Sequence, residues 1–405
     1  MRILILSQWF QPEPMLKGLP LAKALRDRGH EVEVLTGFPN YPGGKLYPGY
    51  RVRPMRREMM DGIRVNRVAL YPSHGTSGLG RLLNYLSFGA SAGLIGPWLV
   101  RKPDVVYVYN LITLGFAARL LRWFRGSKTV LDVQDLWPES VAGSGMVRNR
   151  TILGLLNRWC CAVYRRSDRL MVNSPGFKRN LVARGVDEDK IEVIYNWYDQ
   201  SEAELPPPDP NLARELGFNG RFNIVFAGTM GLLQALDPVI ECARRLSDRR
   251  PDVFFTFVGG GVEVDRLKAL AGDLSNVQFL ARRPPSAMSE IYSLADALLV
   301  HLKLDPLFAI TIPSKIQAYL CAGKPILCGV PGDAADLVGR AQAGVDFLPE
   351  DSQSLEQAIL RLLAMEPAER RQLGANGRAY YQEHLSVLEG VRRIESVFAD
   401  AVATP

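Results

Sequence analysis

The segment TIPSKIQAYLCAGKPIL, residues 311–327, combines a cation with the predicted start of a short helix. Pro313 suits the first turn of a helix, and Gly323 followed by Pro325 predicts where the helix ends. Unpaired N–H groups and a partial positive charge at a helix N-terminus can bind an anion such as phosphate, and Lys315 would add a full charge. An ordinary capped helix with a surface lysine fits this stretch equally well, so the rest of the chain must decide.

Two glycine-rich segments in the second half also suit phosphate binding. FAGTMG (226–231) and FVGGGVE (257–263) each follow a strand-like run. Glycine lets the backbone approach a ligand closely. Neither segment matches the dinucleotide-binding fingerprint or the P-loop, and a tight strand-to-helix turn alone would also explain the glycines.

The elements that must position these residues alternate between strands and helices. Strand-like runs in the first half are RILILS, EVEVLT, DVVYVYN, KTVLDV and DRLMVNS, and those in the second are FNIVFAG, VFFTFVGGG, VQFLA, ALLVHL and KPILCG. Buried β-rich runs separated by helices predict an α/β fold with two doubly wound, mainly parallel sheets. A length of 405 residues fits two domains, and PPPDP (206–210) reads as the edge of a linker.

Ligands of open α/β sheets bind at the carboxyl ends of the strands, so residues just after each strand are the site candidates. Asp135 is the most suitable acid or base among them, because it could orient or deprotonate a hydroxyl group. Capping the following turn is an equally weighted role for it. The full set is Gly18, Asn110, Gln134, Asp135, Asn173 and Ser174 in the first half, and 228–231, 259–261, Lys303 and 311–327 in the second.

Charge is distributed unevenly along the chain. Residues 1–195 contain 29 lysines and arginines against 15 acidic residues, a net charge of +14, whereas residues 196–405 have a net charge of −7. The first half is therefore expected to face an anionic partner. Phosphorylated ligands and a membrane surface are the stronger candidates, since no nucleic-acid-binding signature accompanies the basic residues.

The nineteen residues between Arg81 and Arg101 carry no charge. Asn84, three glycines and Pro97 make this segment a poor membrane span, and we favour a buried or partly exposed helix. The alternative is an interfacial helix next to a basic cluster on an anionic leaflet. Its membrane-facing residues would be Tyr85, Phe88, Trp98, Arg53, Arg56 and Arg57.

No metal site is expected. The five cysteines show no C-x-x-C or Cys/His spacing and are predicted to be buried, reduced thiols. The sequence offers no persuasive carboxylate pair or histidine cluster as metal ligands.

Several of these motifs together resemble the retaining glycosyltransferases of family 4, which have the GT-B fold of two facing Rossmann-like domains. They are DLWPES (135–140), VIYNWYD (193–199), FAGTMG, FVGGGVE, SLADALLVHL (293–302) and PSK…Y…AGKP, and the similarity covers essentially the whole chain. The pairing of DLWPES with PSK…Y…AGKP is similar to a branch acting in bacterial surface-polysaccharide and O-antigen synthesis. That branch includes transferases of N-acetylated deoxyhexosamines such as L-fucosamine.

The resemblance implies a division of labour between two domains. Residues 1–198 would bind a lipid-linked acceptor, and residues 199–385 a nucleotide-sugar donor, UDP-linked by expectation. A C-terminal helix at about 386–402 would pack back on the first domain. Transfer would proceed with retention and without a metal or other cofactor, in a cytoplasmic protein attached peripherally to the inner face of the cell membrane.

The resemblance also assigns residues, with departures from the family pattern. The family's Glu-x₇-Glu pair falls on Ile310 and Ala318, and its usual Arg and Lys fall on Thr229 and Gln234. The diphosphate would therefore rely on other groups, and Gln317 or Glu263 would replace the ribose-binding carboxylate. Donor-binding residues would be Gly18, Gly228, Thr229, Gly231, Gln234, Gly260, Glu263, Arg283, Lys303, Pro313, Ser314, Lys315 and Gln317; acceptor-binding residues Asn110, Gln134 and Asn173; and the catalytic residue Asp135.

Two other functions stay open at this point. A non-hydrolysing nucleotide-sugar 2-epimerase shares the architecture, although the shortage of carboxylates and histidines in the strand-end loops speaks against it. A non-catalytic sugar- or lipid-binding partner is compatible with the missing glutamate pair.

Overall fold

A computed structural model describes residues 1–73, 78–143, 147, 149–198 and 204–404, with Pro285 described by its backbone alone. The chain divides into one unit of residues 1–194 with 391–405, and another of residues 195–390. The sequence prediction put the division between residues 198 and 199. Asp199, the last residue of the VIYNWYD motif, lies outside the described residues.

The first unit contains an eight-stranded sheet. Its strands are β1 (Arg2–Leu6), β2 (Glu31–Gly37), β3 (Met55–Met60), β4 (Ile63–Val68), β5 (Val105–Tyr109), β6 (Lys128–Val133), β7 (Arg169–Val172) and β8 (Ile191–Val193). They lie in the order β3-β4-β2-β1-β5-β6-β7-β8, and all neighbours are parallel except β3 and β4. The predicted parallel sheet is confirmed. The β3–β4 hairpin and β8 escaped prediction, because β3 is a polar edge strand and β8 has only three residues.

The helices of the first unit connect these strands. They are α1 (Leu19–Asp27), α2 (Gly78–Leu99), α3 (Gly115–Arg125), α4 (Glu139–Gly143), α5 (Arg150–Arg166) and α6 (Pro175–Ala183). The uncharged segment forms α2, which buries one face and exposes the other. No helix among the described residues is long and apolar enough to cross a membrane.

The second unit contains a six-stranded sheet that is parallel throughout. Its strands are β9 (Phe222–Thr229), β10 (Val253–Gly260), β11 (Val277–Leu280), β12 (Ala297–His301), β13 (Ile326–Gly329) and β14 (Gly344–Asp346), in the order β11-β10-β9-β12-β13-β14. Its helices are α7 (Pro210–Glu215), α8 (Asp237–Ser247), α9 (Val264–Ala271), α10 (Met288–Leu294), α11 (Pro306–Ala309), α12 (Ser314–Ala322), α13 (Asp333–Arg340), α14 (Ser352–Ala364) and α15 (Pro367–His384). The final helix, α16 (Val387–Ala403), lies mainly in the first unit, where Glu395 pairs with Arg28.

The apolar core of the second unit lies on both faces of its sheet. Alternate residues of β9 point to opposite faces, so Val225 packs in one cluster and Phe226 in the other. This two-sided burial is why the strand reads as a continuous apolar run.

A buried ion pair fixes the segment between β1 and α1. The Lys17 ammonium lies 2.7 Å from the Asp132 carboxylate in β6, and both side chains are fully buried. The Tyr107 hydroxyl donates to the same carboxylate at 2.6 Å, and the Gln134 amide also donates to it. The pair therefore holds Gly18 close to the carboxyl ends of β5 and β6.

We predict that Lys17→Met will lower the free energy of unfolding by about 3–5 kcal/mol, because it leaves a buried charge without its partner. Urea denaturation measures the change. The matched control is Lys23→Met, which removes an exposed lysine paired with Asp61 at 2.8 Å and should change stability little. Equal effects of the two substitutions would contradict a special role for the buried pair.

Candidate functional site

The two glycine segments of the second unit pack against each other. A Cβ atom at Gly259 would lie 2.0 Å from the Gly228 carbonyl oxygen, and one at Gly261 would lie 2.1 Å from that of Met230. The Met230 N–H donates to the Gly260 carbonyl at 2.9 Å. The close packing of β9 against β10 thus leaves no room for a side chain at positions 259 and 261, which explains why both are glycine. The backbone at Gly228 and Thr229, in contrast, is exposed at the carboxyl edge of the sheet.

Lys315 lies directly beside this edge. Its Nζ atom is 3.5 Å from the centre of the Phe226 ring, and a Cβ atom at Gly228 would lie 2.7 Å from Lys315 Cε. Among the described residues its ammonium has no hydrogen-bond or ion-pair partner. Burial lowers the pKa of Lys315 to about 7. An unpaired cation in this setting is suited to an incoming anion.

The helix α12 explains the spacing of the PSK…Y…AGKP motif. The Tyr319 hydroxyl accepts a hydrogen bond of 3.1 Å from the Ala227 N–H, which ties the helix to the end of β9. Lys315 lies one turn earlier on the same face and so reaches Gly228. Gly323 ends the helix with φ of 67°. Pro313 is the residue before the helix, not in its first turn as predicted, because its ψ of 138° is extended.

Three of the predicted donor-binding residues already form hydrogen bonds or an ion pair with other residues of the protein. Gln317 is buried and, in the orientation that satisfies its amide, donates to the Pro313 carbonyl at 2.9 Å, so it is not available to a ribose. Glu263 Oε2 lies 2.6 Å from Arg266 Nε. Gln234 Oε1 accepts from the Gly231 N–H at 3.0 Å, which fixes the turn after GTMG.

Two of the remaining donor candidates, Gly228 and Arg283, line an opening at the same edge. A cavity of about 220 Å³ is lined by Gly228, Gly259 and Arg283, with Met288 and Tyr292 as apolar walls. Thr229, Lys303 and Ser314 have exposed side chains. The arrangement offers a phosphate-sized cationic corner beside a partly apolar pocket.

The acceptor candidates of the first unit meet at the carboxyl ends of β5, β6 and β7. The Asn173 amide donates to Gln134 Oε1 at 3.4 Å, and Asn110 hydrogen-bonds with the Asp135 carboxylate. Desolvation by surrounding protein raises the pKa of Asp135, and the bond with Asn110 opposes this. A raised pKa suits a carboxylate that exchanges a proton with a substrate.

The grouping of four aromatic rings next to these residues escaped prediction. Trp9 lies 5.3 Å from Tyr41 and 6.1 Å from Tyr85, and Tyr85 lies 6.3 Å from Trp137, between ring centres. Buried Glu13 fixes this group, because its carboxylate accepts N–H bonds from Phe10, Asn40 and Tyr41.

Two residues predicted to face a membrane are buried. Tyr85 is 7% exposed and belongs to the aromatic group, and Phe88 is fully buried on the inner face of α2. That prediction was wrong for both, because the helix turns them toward the unit's interior. Trp98, by contrast, is 71% exposed.

Comparison with known proteins assigns the chain to a family. The "Glycosyl transferase 4-like domain" model matches residues 19–197, and the "Glycosyl transferases group 1" model matches residues 209–380. The chain belongs to the glycosyltransferases.

Proteins of similar sequence are also named as glycosyltransferases or glycolipid synthases. Over 341 residues it is 27% identical to WcaI of Escherichia coli strain K12, provisionally assigned as a colanic acid biosynthesis glycosyl transferase, covering 80% of this chain and 82% of that one. Over 249 residues it is 28% identical to the alpha-galactosylglucosyldiacylglycerol synthase of Streptococcus pneumoniae, covering 57% and 62% of the two chains.

Solved structures show the same fold. The UDP complex of Anabaena Alr3699/HepE has a TM-score of 0.69 at 17% identity, covering 99% of this chain and 100% of that one. The α,α-trehalose 6-phosphate synthase of Burkholderia multivorans has a TM-score of 0.71 at 13% identity, covering 99% of each. The glycosyltransferase therefore has the predicted GT-B fold.

His301 is a further residue at the donor edge that the sequence did not single out. It is buried at the end of β12, where Nδ1–H donates to the Gln234 carbonyl at 2.7 Å and Nε2 accepts from the Glu350 N–H at 3.0 Å. Burial lowers the pKa of its imidazole. The neutral ring thus joins the turn after GTMG to the loop after β14, a long-range contact that no local pattern reveals.

We predict that Lys315→Met will weaken UDP binding ten- to a hundred-fold at pH 7, since a charge-assisted hydrogen bond contributes about 1.5–3 kcal/mol. With a pKa of about 7 in the free protein, the ammonium loses its proton above that pH. The wild-type affinity should therefore fall between pH 7.5 and 9, whereas that of the variant should stay flat. Isothermal titration calorimetry measures both.

Exposed Lys268→Met is the matched control and should keep the wild-type affinity and its pH dependence. The depressed pKa means that Lys315 costs stability below the pKa of an unfolded lysine. Lys315→Met should then raise the unfolding temperature of the unliganded protein at pH 7. If Lys315→Met binds UDP with the wild-type affinity, the proposed contact between Lys315 and the diphosphate is wrong.

Proposed function

We propose that this glycosyltransferase moves a sugar from a UDP-linked donor to a lipid-linked acceptor, with retention, in the synthesis of a surface polysaccharide such as an O-antigen. The observation that carries the proposal is the unpaired Lys315 ammonium held beside the exposed Gly228–Thr229 backbone. Such a corner neutralises a diphosphate, which is the group that leaves in this reaction.

The donor is assigned to the second unit. Lys315, Ser314 and the exposed backbone at Gly228 and Thr229 would bind the diphosphate, and the 220 Å³ cavity with Arg283 would take the nucleoside. UDP is proposed as the nucleotide because it is bound in the structure of Anabaena HepE. The sugar is proposed to be an N-acetylated hexosamine or deoxyhexosamine, from the branch that DLWPES and PSK…Y…AGKP resemble.

The acceptor is assigned to the first unit. Asn110, Gln134 and Asn173 would bind its polar groups, and the aromatic group would stack on a sugar face. In the transfer, the anomeric carbon–oxygen bond to the diphosphate breaks and a bond to the acceptor oxygen forms. The acceptor proton goes to the leaving phosphate or to Asp135. We propose that no metal is needed, because Lys315 would neutralise the leaving diphosphate.

An acceptor-dependent assay tests this proposal. UDP release from UDP-N-acetylhexosamines should require a polyprenyl-diphosphate-linked sugar in detergent and should persist in EDTA. Asp135→Asn should lower kcat about a hundred-fold if the carboxylate moves the proton, while UDP affinity stays unchanged. Exposed Asp273→Asn is the matched control. Epimerisation of the donor without acceptor would support the 2-epimerase, and UDP binding without turnover would support a non-catalytic partner.

We also propose that the first unit docks on an anionic membrane through an aromatic surface formed by Trp98, Trp123 and Phe124. Trp123 is 78% exposed, and its ring and that of Trp98 lie 5.1 Å and 5.7 Å from the Phe124 ring. Arg125 donates to the Pro97 carbonyl at 2.7 Å and Arg57 to that of Leu99 at 3.4 Å, so cations flank the rings. Exposed aromatic side chains bordered by arginine are suited to the headgroup region of a bilayer.

We predict that the double variant Trp98→Ser/Trp123→Ser will reduce co-sedimentation with phosphatidylglycerol vesicles at least ten-fold. Arg53→Glu/Arg57→Glu should reduce it in low salt, since screening weakens surface charges in high salt. Arg56 is left unchanged because it pairs with Glu58 at 3.2 Å. Val262→Ser, which changes an exposed residue of the second unit, is the control. Equal recovery with neutral and anionic vesicles would contradict the proposal.

A further inference from the structure

A second cavity lies in the first unit, between α3, α5 and the sheet. Its volume is about 450 Å³, within the range of ligand-binding pockets. Val108 and Leu131 of the sheet form its floor, and Ala118, Trp159 and Val163 of the two helices form its walls. Phe116, Arg119 and Arg166 of its lining are exposed, so the cavity is a groove open to solvent above a mainly apolar floor.

Three arginines line this cavity as well. Arg122 pairs with Asp168, whereas Arg119 and Arg166 have exposed side chains and no hydrogen-bond or ion-pair partner among the described residues. Arg166 ends α5 and lies near the amino ends of the strands. The cavity lining includes neither the catalytic candidate Asp135 nor the acceptor candidates Asn110, Gln134 and Asn173. The cavity is therefore separate from the acceptor site.

The cavity opens beside the proposed membrane-docking surface. Phe116, Arg119 and Trp123 recur at helical spacing on α3, so they share one face of that helix. Phe116 and Arg119 line the cavity, and Trp123 belongs to the aromatic surface. An apolar interior with a cationic rim matches a molecule with an aliphatic chain and an anionic headgroup.

We propose that this cavity binds one acyl chain of an anionic membrane phospholipid, with the phosphate on Arg119 and Arg166. The inference rests on the proposed membrane docking for the source of the lipid. It adds a specific lipid site to a general surface attraction. A bound chain would hold the glycosyltransferase on the bilayer while its acceptor site stays free.

Binding can be measured without a membrane. Dodecyl phosphate, used below its critical micelle concentration, is a monomeric probe with one chain and one phosphate. Its binding to the full chain should saturate and change the intrinsic fluorescence, because Trp159 lines the cavity. Trp159→Phe should remove most of the fluorescence change. Dodecyl maltoside, which lacks the charge, should bind at least ten-fold more weakly.

Two kinds of variant test the two parts of the site. Ala162→Phe fills the cavity and should abolish binding of both detergents. The double variant Arg119→Gln/Arg166→Gln should weaken the binding of dodecyl phosphate at least ten-fold and leave the binding of dodecyl maltoside unchanged. Arg158→Gln, an exposed arginine of α5 outside the cavity lining, is the matched control and should bind as the wild type does. Circular dichroism melting confirms that each variant folds.

The outcomes separate this inference from the proposed function. Saturable binding that the cavity and arginine variants lose supports the lipid site, whatever the transferase assay gives. No saturable binding by correctly folded protein overturns it, and so does equal binding by wild type and Ala162→Phe. Sedimentation that shows a dimer which Ala162→Phe dissociates would also overturn the lipid site, because the occupant of the cavity would then be a second copy of the chain. Transferase activity and vesicle binding are measured separately, so their failure stays distinguishable.

Discussion

Parallel strand pairing is the constraint on which the rest of this glycosyltransferase depends. The described part of the chain contains fourteen strands. Thirteen of these pair in parallel with at least one neighbour, and β3 is the one that pairs only in the antiparallel sense. Parallel strands require crossover helices, and they bring all carboxyl ends to one edge of each sheet. Residues as distant in sequence as Gly228 and Lys315, or Gln134 and Asn173, become neighbours for this reason.

At the donor edge, the fold places the Lys315 ammonium where the described residues offer no counter-charge. Tyr319 bonds to the end of β9, and this contact fixes the turn of α12 that carries Lys315. Phe226 provides only the face of an aromatic ring, which stabilises a cation less than a carboxylate would. The resulting lysine is poised for an anion, and a diphosphate leaving group is the anion that the family chemistry supplies.

In the first unit, the candidate acceptor residues and the exposed aromatic residues lie on different parts of the surface. Polar residues and four aromatic rings gather at the carboxyl edge, close to Asp135. Exposed tryptophans and arginines lie on α2 and α3, where they can meet a bilayer without competing for the same groups. The proposed lipid cavity between α3 and α5 lies beside this second surface, so the proposed membrane attachment and acceptor binding would not exclude each other.

The sequence alone determined the fold class, most strands and the strand-end residues, because two-sided burial leaves continuous apolar runs and glycine marks the turns. It also pointed to Lys315 through helix-start chemistry. Only the tertiary structure decided that Tyr85 and Phe88 face inward, that Gln317 is buried, and that His301 links two loops. It alone revealed the aromatic group and the arginine-lined cavity. These features depend on which helix face meets the sheet and on contacts between distant segments, and a local pattern specifies neither.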